Sequence, residues 1–195
     1  MGVDHSQKVK ATPIANDYGS KDCVNLSPSI AVSRIMVCPG AAWPNKQLSL
    51  STLSELLQSL LKKEASFFLF TWGSAQEKKN VETLHSLFPN NSAIVPKMSL
   101  PVLQNLMSKV DLVIAMDSLP LHLAGTTQTA TFSVFGPSSA EKYCPLGSQH
   151  HAFQGPCPYG RTFEKRCPIL RTCPTGLCIK GLKSDRLIKI FRDME

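Results

Sequence analysis

The residues best suited to chemistry in this 195-residue chain follow short apolar runs. The run Leu112-Val113-Ile114-Ala115-Met116 ends in Asp117 and Ser118, and His122 comes about one helical turn later. A buried strand that ends in a carboxylate and a hydroxyl, then turns into a short helix, leaves backbone N–H groups free to face an anion. At the carboxyl edge of a parallel sheet, that layout suits a sugar-phosphate or nucleotide ligand. The plain structural alternative makes Asp117 or Ser118 a helix cap and His122 a satisfied, partly buried histidine.

Three other segments offer compatible groups. Residues 39–46, Pro-Gly-Ala-Ala-Trp-Pro-Asn-Lys, combine small residues that permit close backbone approach with Lys46, a charge for phosphate. In Trp72-Gly73-Ser74-Ala75-Gln76-Glu77, the carboxylate of Glu77 falls at a helix start, where it can accept from both ribose hydroxyls or act only as a helix-terminus charge. Backbone groups beside Met98 could hold a base edge, although a methionine there commonly fills core.

These segments require a repeating frame to bring them together. Residues 30–38 are apolar and β-branched, and Leu50, Leu53, Leu56, Leu57, Leu60 and Leu61 recur at helical spacing, with Thr52 and Glu55 readable as a capping box. Further strands are expected at 67–70, 93–95, 112–116 and 130–135, with helices near 75–87, 100–109 and 119–125 between them. Alternation of this kind implies right-handed crossovers and a mostly parallel sheet covered on both faces: an α/β, Rossmann-like domain. Residues 1–28 lack apolar periodicity and are expected to form a flexible leader, so the domain is assigned to 29–195. After Gly136 the pattern fades into a Cys-rich basic tail at about 145–182, followed by a last helix over 184–192 that packs back on the domain edge.

Composition narrows the function classes. The formal net charge of +7 suits phosphorylated ligands or an anionic membrane surface. With 7% aromatic residues and no ladder of basic and aromatic side chains, nucleic acid is not an expected partner. No apolar run reaches the ~18 residues of a membrane span, and the polar start does not look like a secretory signal, so a cytoplasmic chain is expected.

Together, residues 39–46, 72–77, 117–124 and Phe135-Gly136-Pro137 resemble the donor-binding half of the lipopolysaccharide heptosyltransferases, glycosyltransferase family 9. The resemblance implies the C-terminal half of a GT-B fold, in which two Rossmann-like domains face a cleft. It also implies ADP-L-glycero-D-manno-heptose as donor and inverting transfer to a lipopolysaccharide core acceptor, with peripheral contact at the inner membrane. By resemblance, Lys46 neutralises the diphosphate, Glu77 holds the ribose and the Met98 backbone meets the adenine. Asp117 binds heptose hydroxyls, with Ser118, Leu119 and His122 near the phosphates. No cofactor or metal is implied, since lysine and helix-end dipoles can stabilise the departing ADP.

Two departures from the family pattern stand out. Leu119 occupies a place where the family usually has glycine. The N-terminal acceptor domain, which would supply the general base, has no counterpart in residues 1–28, so no catalytic residue is assigned in this chain. The acceptor domain would then come from another chain or from the rest of a longer one. The alternative is a noncatalytic nucleotide-binding remnant or interaction module.

Four of the seven cysteines, Cys157, Cys167, Cys173 and Cys178, crowd into the tail. A structural zinc site is one reading, but the spacing lacks a Cys-x-x-Cys pair, and reduced free thiols are the default expectation.

Overall fold

The computed structural model describes residues 32–193, so the expected leader at 1–28 lies outside the described residues. From β1 (Ser33–Cys38) the chain alternates strand and helix: α1 (Leu50–Lys63), β2 (Ser66–Phe70), α2 (Ala75–Leu87), β3 (Ser92–Ile94), α3 (Leu100–Met107), β4 (Leu112–Met116), α4 (Leu119–Ala124) and β5 (Ala130–Phe135). Beyond these come α5 (Ala140–Tyr143), β6 (His150–Gln154), α6 (Leu177–Lys180) and α7 (Ser184–Arg192).

Every strand pairing is parallel, and the sheet order is β3-β2-β1-β4-β5-β6. The chain winds outward from β1 in one direction, then returns to place β4 on the other side of β1. Such a reversal separates two adjacent crossovers and opens a crevice at the carboxyl ends of the strands.

Period-two alternation decides which face each strand residue covers. Ile35, Val37, Ile114 and Met116 point to one side, where Leu53, Leu56 and Leu57 of α1, Val81 and Leu84 of α2 and Leu187 and Phe191 of α7 complete a buried core. Met36, Cys38, Val113 and Ala115 point to the other, against Met107, Leu121 and Ala124. Both faces of the central strands are dry, which explains their nearly unbroken apolar runs.

Several local expectations are corrected. Ser49, not a Thr52–Glu55 box, caps α1, with the Thr52 N–H donating to Ser49 Oγ at 3.2 Å. Thr52 and Glu55 are drawn to the tail instead: Thr52 Oγ1 donates to Leu182 O at 2.8 Å, and Glu55 accepts from Ser184 Oγ. β3 starts and ends one residue earlier than the 93–95 pattern suggests, although Val95 N–H still donates to Phe70 O at 2.9 Å. α3 stops at Met107, before the expected 109, and Ser108 caps it.

The tail does not simply pack on the domain edge. Helix α7 packs on a face of the sheet beside α1, its Phe191 ring edge-on to Phe132 of β5 at 5.3 Å. The preceding segment turns back over the sheet: Ser138 and Arg166 form an antiparallel bridge, and Cys167 N–H donates to Pro137 O at 2.7 Å. Residues 166–172 are thereby carried to the carboxyl edge of the strands.

Candidate functional site

Lys46, Glu77, Met98, Asp117, Ser118, Leu119 and His122 all line one cavity of about 1050 Å³ at the carboxyl ends of the strands. The cavity straddles the point where the strand order reverses between β1 and β4. Proximity of the seven residues is therefore a property of the topology, since they span four strand exits.

Lys46 closes a 3-10 turn, Pro44–Lys46, in which proline presets the backbone and Lys46 N–H donates to Trp43 O at 2.9 Å. The turn points the lysine inward, and its ammonium pairs with the carboxylate of Asp117. The pair is largely dry, with side-chain exposures of 10% and 8%. Asp117 Oδ1 also lies 3.7 Å from His122 Nε2, beyond a normal hydrogen bond. His122 is not the partly buried histidine considered from sequence, because its side chain is 51% exposed at the pocket mouth.

Ser118 is the N-cap of α4, but its hydroxyl donates to Met116 O at 3.2 Å and does not cap the helix. Pro120 has no N–H, and Leu121 N–H returns to Ser118 O at 3.1 Å. This leaves the amides of Ser118 and Leu119 as the available donors of that turn. No non-glycine residue among those described has positive φ, so the backbone at Leu119 does not require glycine. Its side chain is 54% exposed on the pocket rim.

Glu77 takes the helix-terminus role weighed for it from sequence. It completes a capping box with Ser74, and its Oε2 accepts from Gly73 N–H at 2.7 Å and Ser74 N–H at 3.1 Å. Its half-buried carboxylate still faces the cavity, and a Cβ on Gly40 would overlap it. Gly40 thus makes the room that lets the first and second strand exits meet. Met98 is a half-buried part of the pocket wall, not core filler.

The wall opposite these residues was not legible from sequence. Arg166, Arg171 and Thr172 of the tail line the cavity, as do Trp43 and Lys97. The Arg171 guanidinium sits 4.6 Å over the Trp43 ring, and Arg166 lies 5.1 Å from the Tyr143 ring. Asn45 holds this wall in place by donating to Leu170 O at 3.0 Å and Cys173 O at 2.9 Å. The only available signal was the basic cluster at Arg161, Lys165, Arg166 and Arg171; its placement depends on long-range contacts. With Lys46, Lys97, Arg166 and Arg171 against Asp117 and Glu77, the pocket favours anions.

Cys38 lies on the cavity floor. Burial, offset in part by a hydrogen bond with Thr71, pushes its thiol up to about 12. It is a neutral packing group, without the thiolate character of a nucleophile.

The model of glycosyltransferase family 9 (heptosyltransferase) matches residues 5–172. The chain belongs to glycosyltransferase family 9. Lipopolysaccharide heptosyltransferase 1 of Campylobacter coli is 30% identical to this family 9 chain over 106 residues, which is 52% of the chain and 31% of that protein. Among solved structures, E. coli heptosyltransferase WaaC with ADP superimposes with a TM-score of 0.67 at 16% identity, covering 86% of the chain and 46% of WaaC. The glycosyltransferase family 9 structure from Veillonella parvula gives 0.68 at 17%, covering 84% and 46%. The chain thus spans about a third of the curated relative and about half of each solved one. Its fold is one Rossmann-like half of the two-domain GT-B architecture. Among the described residues, no helix is long and apolar enough to cross a membrane.

Proposed function

We propose that this family 9 domain binds an ADP-heptose donor, ADP-L-glycero-D-manno-heptose, for inverting transfer of the heptose to a lipopolysaccharide core acceptor. The observation that carries the proposal is the convergence of buried Lys46, its partner Asp117 and the Glu77 carboxylate on one basic pocket at the strand-order reversal. Two acids and a lysine in this order match the needs of a nucleotide sugar: hydroxyls at each end and charge in the middle.

In this reading Glu77 accepts from the ribose hydroxyls through the oxygen left over from helix capping, and backbone groups beside Met98 meet the adenine edge. Lys46 turns its charge to the diphosphate, joined by the Ser118 and Leu119 amides and by His122 at the mouth. Asp117 both holds Lys46 in place and accepts from heptose hydroxyls. An acceptor hydroxyl attacks the anomeric carbon from the face opposite the diphosphate. The bond from that carbon to the phosphate oxygen breaks, and its electron pair leaves with ADP. Fixed positive charge at Lys46 stabilises the negative charge that develops there, without reorganisation during the reaction. The proton of the acceptor hydroxyl passes to a base on the acceptor domain, supplied by another chain or the rest of a longer one. Contact of that acceptor with the inner membrane would make the assembly peripheral on its cytoplasmic side.

Calorimetry with ADP and the ADP-heptose tests the donor reading. Binding lost in Lys46→Ala and Asp117→Ala supports it; no binding by the parent chain overturns it. Leu119 on the pocket rim favours a second reading, a nucleotide-binding module that does not turn over. Transfer to a heptose-free core acceptor, assayed with and without an added acceptor domain, separates the two.

A further inference from the structure

Among the described residues no three His, Cys, Asp or Glu side chains are grouped to hold a metal ion, so the zinc reading of the tail cysteines has no geometry behind it. What the tail brings to the pocket is charge. Arg166 and Arg171 both line it, and neither pairs with a carboxylate among the described residues. Each guanidinium lies over an aromatic ring instead, Arg166 over Tyr143 and Arg171 over Trp43. A ring holds a cation through its face and leaves the N–H donors unused, so the planar fork stays available to an oxyanion.

Of the two, Arg171 is the one fastened to the lysine turn. Trp43 immediately precedes that turn, and its carbonyl accepts from Lys46 N–H at 2.9 Å. Asn45 Nδ2 donates to Leu170 O and to Cys173 O, one on either side of Arg171 in the chain. Behind it the loop is closed by Leu170 N–H donating to Cys167 O at 3.1 Å and Cys173 N–H to Ile169 O at 2.7 Å. Gly176 makes room for the tie: a Cβ there would fall 2.6 Å from Asn45 Oδ1, and its φ of +61° lies in the left-handed region. Trp43, Asn45 and Lys46 thus supply the ring beneath Arg171, the tie to its loop and the buried ammonium.

We propose that Arg171 is a second phosphate-binding residue of this pocket, closing its guanidinium fork on the non-bridging oxygens of the donor's diphosphate, with Trp43 as its positioning residue. The need for it follows from Lys46. Paired with Asp117, that lysine belongs to a unit close to neutral, which offers a diphosphate a donor but little net charge. Arg171 has no such acid partner, and its fork matches two oxygens on one phosphorus as an ammonium does not. The diphosphate would lie between the two cations, Lys46 on the sheet side and Arg171 on the tail side. As ADP departs, the negative charge that develops on it is shared by both walls. The inference deepens the donor reading and rests on it for the owner of the diphosphate, but not for the anion site itself.

Calorimetry on the full chain with inorganic diphosphate and with ADP tests the assignment. Arg171→Gln is expected to weaken both by about tenfold to a hundredfold, and to make diphosphate binding less sensitive to added salt, because one attracting charge is gone. Arg171→Lys should recover only part of the affinity, since it restores the charge without the fork. Arg161→Gln removes the same charge from the tail outside this pocket and should bind as the parent does. Trp43→Leu should weaken diphosphate binding, Trp43→Phe should keep it, and Trp43→Leu should cost nothing further in the Arg171→Gln background.

Diphosphate affinity unchanged in Arg171→Gln, or lowered equally by Arg161→Gln, overturns the assignment, as does a parent chain that binds no diphosphate. Strictly additive losses for Trp43→Leu and Arg171→Gln overturn the positioning role of Trp43. The donor reading fails separately: a chain whose diphosphate binding depends on Arg171 but which binds ADP no better than inorganic diphosphate keeps the anion site and loses the nucleotide. ADP binding that survives Arg171→Gln intact has the opposite meaning, overturning this inference alone.

Discussion

The ammonium of Lys46 and the carboxylate of Asp117, 71 residues apart in the chain, are paired across the reversal point of the sheet. Each is the other's main compensation for burial. Lys46→Ala or Asp117→Ala alone leaves a largely dry charge unmatched, and each is expected to cost about 3 kcal/mol in urea denaturation. The double variant should be less destabilised than the sum of the two; strict additivity would show that the pair contributes no coupling. In binding, loss of a charged contact to the diphosphate predicts an ADP affinity reduced by about tenfold to a hundredfold in Lys46→Ala.

Gly40 faces the Glu77 carboxylate with no room for a methyl group. Gly40→Ala should push Glu77 away from the cavity and weaken ADP binding by about tenfold, with a smaller effect on inorganic diphosphate, which has no ribose for Glu77 to hold. Calorimetry with the two ligands measures the difference. Equal losses for both would mean that Glu77 acts only as the cap of α2.

Leu119 supplies a mostly exposed side chain at the first position of α4, with no backbone strain there. Leu119→Gly should therefore lower stability by no more than about 1 kcal/mol while raising donor affinity, because it opens the rim next to the Ser118 and Leu119 amides. A thermal melt and a donor titration on the same variant check both parts. Unchanged affinity would place the leucine outside the ligand's path.

The buried imidazole of His150 has its Nδ1 3.0 Å from Thr131 Oγ1, while its Nε2 has no hydrogen-bond partner. Burial, reinforced by neighbouring His151, holds its pKa below the ordinary 6.5. The unfolded chain takes up a proton near 6.5 whereas the folded chain resists it, so stability present above that value is lost as the pH falls below it. Melting temperatures measured from about pH 7.5 down to about pH 5 should decline more steeply for the parent than for His150→Gln. Parallel curves would remove His150 from the acid response.

Much of the scaffold was legible in the residues. The leucine spacing of α1 and the apolar runs of β1, β2, β4 and β5 carry their own periodicities, because one face of a helix and both faces of a central strand must be apolar to be buried. Lys46, Glu77, Asp117, Ser118 and His122 stood out as candidates because they are polar residues placed just beyond the carboxyl ends of such runs, whereas their sharing one cavity with Met98 and Leu119 is visible only in the fold. β6 was missed because His150-His151-Ala152-Phe153-Gln154 has no such run, and its strand character comes from pairing with β5. The cap of α1 was misplaced for a comparable reason, since Thr52 and Glu55 are bonded to residues of the distant tail.

By itself, the sequence determined the alternation of elements, the parallel α/β class and the identity of the groups at the strand exits, all set by local periodicity and side-chain chemistry. Only the tertiary structure decided that Lys46 is neutralised by Asp117 and that Arg166 and Arg171 wall the same pocket. Those relationships join residues tens of positions apart, and they exist only once strand order and the return of the tail have closed the distances between them.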